Sequence, residues 1–255
     1  MRIVSLVPSL SKTICDLGLK ANLVGITNFC VDPPDLYRSA MRVGGTKDPN
    51  LSQIHALNAT HVIVNEEENR ATDIEQLRKS GNVLSTFPKS PEDVGPMLRV
   101  LGKFLGSETR TREVAACVEE EISKLASLPK LSSYVGRKFL YLIWRDPWMA
   151  VAKETYISRF LELLGFENLV NSETRYPVIE VEQIKEMAPD VIFLSSEPWP
   201  FRKRDAEALR NQLGPMSAKM LWIDGKYCSW YGTTTIEALQ KAQLPYDKNP
   251  LIRPI

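Results

Sequence analysis

Leu51-Ser-Gln-Ile-His-Ala-Leu-Asn-Ala-Thr-His-Val-Ile-Val-Asn-Glu-Glu67 and Val181-Glu-Gln-Ile-Lys-Glu-Met-Ala-Pro-Asp-Val-Ile-Phe-Leu-Ser-Ser-Glu197 lie 130 residues apart and repeat one pattern. Identity is confined to Gln53/Gln183, Ile54/Ile184 and Glu67/Glu197. Yet both stretches read as a short helix, a turn and a buried strand ending in a carboxylate. A repeat at fixed offset decides the fold before any local reading does. It points to two similar lobes, each with one acidic residue just past a central strand.

The flanking sequence supplies the rest of each lobe. Arg2 to Val7 is a β-branched run halted by Pro8, and Ser9 caps a helical pattern (Leu10, Ile14, Leu17) that ends at Gly18. Strands are expected at Asn22 to Thr27, His61 to Val64 and Asn82 to Thr86, with a helix from Ala71 to Ser80. Strands alternating with helices imply βαβ units and a mostly parallel sheet. Ser90-Pro91-Glu92-Asp93 starts a further helix with proline in its first turn. From Ser107 to Leu128 the apolar pattern Val114, Cys117, Val118, Ile122, Leu125 stays helical for about 22 residues, or ~33 Å, until Pro129. That helix is the connector.

Lys138 to Trp144 opens a second set in the same order. Helices are expected at Thr155 to Leu164, Asp205 to Leu213 and Thr234 to Gln243, strands at Val191 to Leu194 and Met220 to Asp224, and a turn at Gly225. Pro245, Pro250 and Pro254 make the tail irregular. The fold class is therefore α/β: two similar lobes with mostly parallel sheets flanked by helices, joined by one long rigid helix. The expected division is an N-terminal lobe over 1–90, connecting helices over 91–130 and a C-terminal lobe over 131–255.

Composition excludes several function classes. The 255 residues are 44% hydrophobic and 25% charged, the balance of a globular protein with a sizeable core. Thirty-two basic and 31 acidic side chains leave a net charge of +1, with no basic field for nucleic acid. No run approaches the ~20 apolar residues of a membrane helix, so no membrane insertion is expected. The first strand begins at Arg2, which leaves two settings open: the cytoplasm if Met1 is the native start, the periplasm or cell surface if a leader was removed. Cys15, Cys30, Cys117 and Cys228 show no CxxC spacing, and most of them read as small core residues. Only His55 and His61 could supply imidazole, without a nearby thiolate, so a directly coordinated metal is disfavoured. No GxSxG, P-loop or GxGxxG signature occurs, and no catalytic residue is assigned. Val43-Gly-Gly-Thr46, followed by Asp48-Pro-Asn50, reads as a loop into a helix cap.

Aromatic residues gather where strands end. Trp144-Arg-Asp-Pro-Trp148, Pro198-Trp-Pro-Phe201 and Ser229-Trp-Tyr-Gly232 each follow a strand of the second lobe, and Phe29 follows one in the first. In open α/β sheets the carboxyl ends of strands form the ligand crevice. Pro8, Phe29, Trp144, Arg145, Trp148, Trp199, Trp230 and Tyr231 are therefore the candidate cleft residues, while Trp222 within a strand reads as core. Aromatic walls with few charges suit a large, flat, partly apolar ligand, and Arg145 adds a donor for an anion or amide. Glu67 stands among three acids, Glu66 to Glu68, whereas Glu197 is flanked by Ser196 and Pro198, which fix its direction. One such carboxylate on each lobe suits docking on two basic pockets of a pseudo-symmetric partner.

These segments resemble the solute-binding proteins of ABC importers for cobalamin and ferric siderophores. The likeness runs through Arg2-Ile-Val-Ser-Leu-Val-Pro-Ser9, Leu23-Val-Gly-Ile-Thr27 with Cys30 and Pro33-Pro34, Arg42-Val-Gly-Gly45, Pro49-Asn-Leu51 and Ala188-Pro-Asp-Val-Ile192. Ser196 to Phe201 and Asp224 to Gly232 look like the subgroup described as helical-backbone metal receptors. The resemblance implies a non-enzymatic, monomeric protein with no intrinsic cofactor, binding a metal chelate such as cobalamin, haem or a ferric siderophore in an interlobe cleft. It also implies an ABC permease dimer as partner, met by Glu197 and by Glu67 or a neighbour. Two alternatives use the same scaffold: an enzyme or chaperone for a tetrapyrrole-like ligand, with Asp146, Cys30, Cys228 and Tyr231 as candidate groups, and an interaction module with no ligand.

Overall fold

Parallel strands covered on both faces read as unbroken apolar runs, and the runs of this chain fall into two groups. The computed structural model describes residues 1–127, 135–244 and 248–255, apart from the side chain of Ser80. They divide into two units: 1–88 with 92–119 and 231–234, and 89–91 with 120–230 and 235–255.

The first unit contains β1 (Ile3–Ser5), α1 (Pro8–Asp16), β2 (Leu23–Ile26), α2 (Leu36–Ser39), β3 (Met41–Arg42), α3 (Leu51–Ala56), β4 (His61–Asn65), α4 (Ala71–Ser80), β5 (Val83–Thr86) and α5 (Val94–Leu105). Its five strands run in the order β3-β2-β1-β4-β5, all parallel. Val4, Leu6, Val43, Ile54, Val62, Val64, Ile74 and Leu77 form a buried cluster between sheet and helices. The N-cap of α1 is Val7, with Pro8 in the first turn and Ser9 buried inside the helix, so Ser9 is not the cap the sequence suggested. Proline's fixed φ and missing N–H suit that first turn without help from a side chain. Asn50 caps α3 as expected, accepting the Gln53 N–H at 3.0 Å.

The connector α6 (Glu108–Ser127) spans 20 residues, about 30 Å at ~1.5 Å per residue. It passes from the first unit to the second between Glu119 and Glu120. Its expected end at Leu128 and Pro129, like Pro245 in the tail, lies outside the described residues.

The second unit holds β6 (Lys138–Trp144), β7 (Met149–Ala150), α7 (Tyr156–Leu163), β8 (Glu167–Asn168), α8 (Val181–Met187), β9 (Val191–Ser195), α9 (Lys203–Leu213), β10 (Lys219–Ile223), α10 (Gly225–Ser229), most of α11 (Thr233–Ala242) and β11 (Ile252–Pro254). The strand order is β11-β10-β9-β6-β7, with β8 also on β6. Strands β6, β8, β9 and β10 are mutually parallel, whereas β7 and β11 are antiparallel additions at the edges. Two expectations are corrected here. The tail is not wholly irregular, because β11 pairs with β10 at a sheet edge, where a proline costs no needed hydrogen bond. The turn at Gly225 is the start of α10, capped by Asp224, whose Oδ1 accepts the Lys226 N–H at 3.1 Å. On one face Phe193 packs against Phe139, Tyr141 and Phe166 with ring centroids 5.3 to 6.3 Å apart.

The repeat holds to the residue. Helices α3 and α8 begin at 51 and 181, and strands β4 and β9 cover 61–65 and 191–195. Between helix and strand, Asn58 (φ 47°) and Ala188 (φ 45°) occupy the same left-handed position. At 188 that conformation closes the helix, with the N–H bonded to the Ile184 and Lys185 carbonyls. An alanine there carries a Cβ penalty of roughly 1–2 kcal/mol, partly offset by the roughly 0.5–1 kcal/mol of backbone entropy a glycine loses. Ala188 is exposed, so Ala188→Gly is expected to stabilise the protein by about 0.5–1 kcal/mol, seen as a higher urea midpoint at unchanged slope.

Candidate functional site

At the carboxyl end of each repeated strand a polar side chain captures the backbone two residues on. Asn65 is buried and its Oδ1 accepts the N–H groups of Glu67 (2.8 Å) and Glu68 (3.0 Å), while its Nδ2 donates to the Thr86 carbonyl at 2.9 Å. Ser195, at the equivalent position, accepts the Glu197 N–H at 3.3 Å and donates to the Glu197 carbonyl at 2.6 Å. The direction of Glu197 thus comes from Ser195 rather than from Ser196, whose hydroxyl instead accepts the Gly225 N–H at 2.9 Å. Gly225 is required: a Cβ there would lie 2.5 Å from Ser195 Oγ and 2.7 Å from Glu197 Cγ.

This close approach delivers the end of α10 to the Glu197 carboxylate. Ser229 Oγ (3.1 Å) and Trp230 Nε1 (2.9 Å) both donate to its Oε1. Burial pushes the Glu197 pKa up, the Ser229 and Trp230 hydrogen bonds oppose that, and Asp224 adds to it. The carboxylate is half-buried and fixed in direction.

The aromatic residues of the second unit separate into two groups. Trp144 is 38% exposed and meets half-buried Trp199 edge to face, with centroids 5.1 Å apart at 68°. Trp148 faces inward: it is buried, stacked on Phe201 at 6.1 Å and 9°, and its Nε1 donates to Gln212 at 3.2 Å. It supports the edge from behind rather than presenting a face. Arg145, expected to meet a ligand anion, is already neutralised: Nη1 donates to Asp205, and Nε lies 3.3 Å from the Asp146 carboxylate. Asp205 is only 2% exposed. Burial disfavours its charge, but the Arg202 N–H at 2.7 Å and Arg145 outweigh that and hold its pKa below the usual range.

In the first unit Pro8 is buried at the start of α1, and Phe29 is 58% exposed beyond β2. Tyr231 belongs to this unit and is buried, its hydroxyl donating to Glu68 Oε1 at 3.3 Å. Burial and the Glu68 charge push its phenol well up. Glu67 is half-buried, and its carbonyl accepts from Lys47 Nζ at 2.7 Å. Sequence reasoning passed over Ser229 and Asp224 beside Glu197, and Tyr37 and Arg42 near Phe29; only their proximity to strand ends could have marked them.

Nothing in this chemistry points to catalysis. The Cys228 thiol is pushed well up by burial and by Asp224 and Glu197, and Cys30 by burial, which keeps both protonated and weakly nucleophilic. His61 sits edge-on to Phe104 at 4.9 Å, and no group of three or more metal-ligating side chains occurs among the described residues. Nor is any described helix long and apolar enough to cross a membrane.

Two α/β units with aromatic residues at their strand ends form a scaffold suited to binding. Residues 3–220 match the periplasmic binding protein family, and the chain belongs to it; it is a binding protein, not an enzyme. It is 24% identical over 218 residues to the vitamin B12-binding protein of Vibrio parahaemolyticus, covering 82% of this chain and 78% of that one. It is 25% identical over 198 residues to the cobalamin-binding protein of Halobacterium salinarum, covering 75% of this chain and 53% of the relative. Among solved structures it is similar to the periplasmic vitamin B12-binding protein BtuF of Vibrio cholerae (TM-score 0.80, 20% identity, 94% of each chain). It is also similar to a periplasmic heme-binding protein of Pseudomonas aeruginosa (TM-score 0.82, 21% identity, 100% of this chain and 94% of that one).

A glutamate whose folded pKa lies above its unfolded value contributes stability that is present below the ordinary carboxyl pKa and lost as pH rises through the folded value. Glu197→Gln keeps an acceptor for Trp230 but cannot ionise. The variant is expected to gain on the wild type in urea-melt stability from about pH 4 to pH 7, and equal slopes over that range would contradict the assignment.

Proposed function

We propose that the chain is a solute-binding protein for a flat metal chelate, a corrinoid such as cobalamin, a haem or a ferric siderophore, which it delivers to an ABC importer. The Trp144–Trp199 pair at the carboxyl edge of the second sheet carries this reading. An indole left 38% exposed in a T-shaped pair offers an apolar face without rearrangement, the surface a planar macrocycle needs. The relatives' names support the chelate class, since they bind vitamin B12 or cobalamin, and neighbours of the same fold bind heme. The chelate is cargo, so the protein has no intrinsic cofactor.

In this reading Trp144, Trp199 and Trp230 are the contact residues the second unit offers, with Trp148 buried behind the Trp144 loop, and Phe29 is the one the first unit offers, where Pro8 and Tyr231 are buried supports. Arg145 keeps its loop in shape through Asp205. Glu67 and Glu197, set by the same backbone capture at equivalent strand ends, are the docking carboxylates for a permease dimer, and the protein acts as a monomer. Periplasmic and lipoprotein relatives favour an extracytoplasmic setting.

Absorbance titration with cobalamin, haemin and a ferric hydroxamate, read also by tryptophan quenching, tests the chelate class. One of the three should bind, and no affinity tighter than about 100 µM (~−5.5 kcal/mol) for any of them would overturn the reading. Trp144→Ala is expected to weaken the bound chelate by roughly tenfold, an aromatic anchor being worth about 1–2 kcal/mol, with little loss of fold stability at so exposed a site. Charge reversal of Glu67 should leave that affinity unchanged and reduce importer-dependent uptake in cells.

A further inference from the structure

Arg42 ends the edge strand β3, and its guanidinium carbon sits over the Tyr37 ring, 3.3 Å from the centroid. No carboxylate of the described residues pairs with it. Its Nη1 reaches the Asn28 carbonyl only at 3.5 Å, and its Nε is shielded from water without a hydrogen-bond partner. Asp35 of the neighbouring segment is engaged by Lys20. The Nη edge of the guanidinium carries no ion pair, and an anionic oxygen there would form a charge-assisted pair with it. Stacking on Tyr37 has already removed much of the side chain's rotamer freedom, so little ordering remains for a ligand to impose. Around it Phe29, Val31, Tyr37 and Met41 are all exposed, an apolar surface gathered by one short segment.

We infer that Arg42, Tyr37 and Phe29 form an anion-recognising subsite of the first unit, which takes a carboxylate or phosphate carried on a flat, apolar ring system. It rests on the reading of the chain as a binder of planar chelates, and it adds that the ligand bears an anionic arm. The role that strand-end position suggested for Arg145 falls to Arg42, because of the two it is Arg42 that has no ion-pair partner among the described residues.

Calorimetric titration of wild type and Arg42→Gln tests this with paired probes: haemin against haem dimethyl ester, cobalamin against cobinamide, and phenyl phosphate and benzoate against phenol. The substitution is expected to weaken the probe that bears the anionic group by about tenfold or more while its counterpart lacking that group binds as before. Loss confined to haemin and benzoate identifies a carboxylate site; loss confined to cobalamin and phenyl phosphate identifies a phosphate site. Probes bearing the anionic group bound equally by both proteins would overturn the inference. If wild type bound no chelate, the broader reading would fail. The aryl anions would still decide the subsite, which stands if they bind through Arg42 and falls if they do not. A matching thermal melt controls for folding, and Arg42→Lys, which keeps the charge but not the planar fork, should also weaken the probe that bears the anionic group.

Discussion

The last residue of a parallel strand must hand its backbone on to something other than the next ladder rung, and in both units it does so through its own side chain. Asn65 and Ser195 are buried, stand at equivalent places in the repeat, and each binds the amide of the glutamate two residues later. Amide and hydroxyl achieve this with different atoms, but both turn the chain sharply at the sheet edge. In the second unit that turn brings Glu197 under Gly225, whose missing side chain lets α10 close over it. From there Ser229 and Trp230 reach the carboxylate, so the geometry at the edge follows from one capture at the strand's end.

Much of this architecture was legible because hydrophobic periodicity is robust to substitution. The repeat showed through although only three positions were identical, since helix, turn and strand impose apolar spacing rather than particular residues. The bounds of α4 and β6 coincide with those read from sequence. What escaped has physical reasons. Asn58 and Ala188 share a left-handed backbone but no chemistry, so no residue type flags the pair. Strand β11 was hidden by its proline, which only an edge position tolerates. Helix α10 is too short to show a period. Trp144 and Trp148 look interchangeable in sequence, yet one is at the surface and the other is stacked on Phe201, because Met149 pairs back onto Trp144 and turns the loop between them.

Charge balance distinguishes two arginines that sequence position alone does not. The whole chain is nearly neutral, but neutrality is reached locally by pairing, as at Arg99 with Glu119 and Arg145 with Asp205. Arg145 so paired is structural, since withdrawing it would leave the buried Asp205 carboxylate without its counter-ion. Arg42 rests on an aromatic ring instead, which fixes its plane without satisfying its donors. Rank by position would choose Arg145; rank by unpaired charge chooses Arg42.

Residues 231–234 belong to the first unit although the chain on either side of them belongs to the second. Tyr231 bonds Glu68 there, and Thr233 bonds Thr13 and Asp16. Gly232, at φ 97°, leaves no room for a side chain against Thr13. Neither unit is therefore a continuous stretch of polypeptide. A fragment cut within α6 would lack four residues that close the first unit's surface, and ribosomal synthesis cannot complete that unit until most of the second has been made.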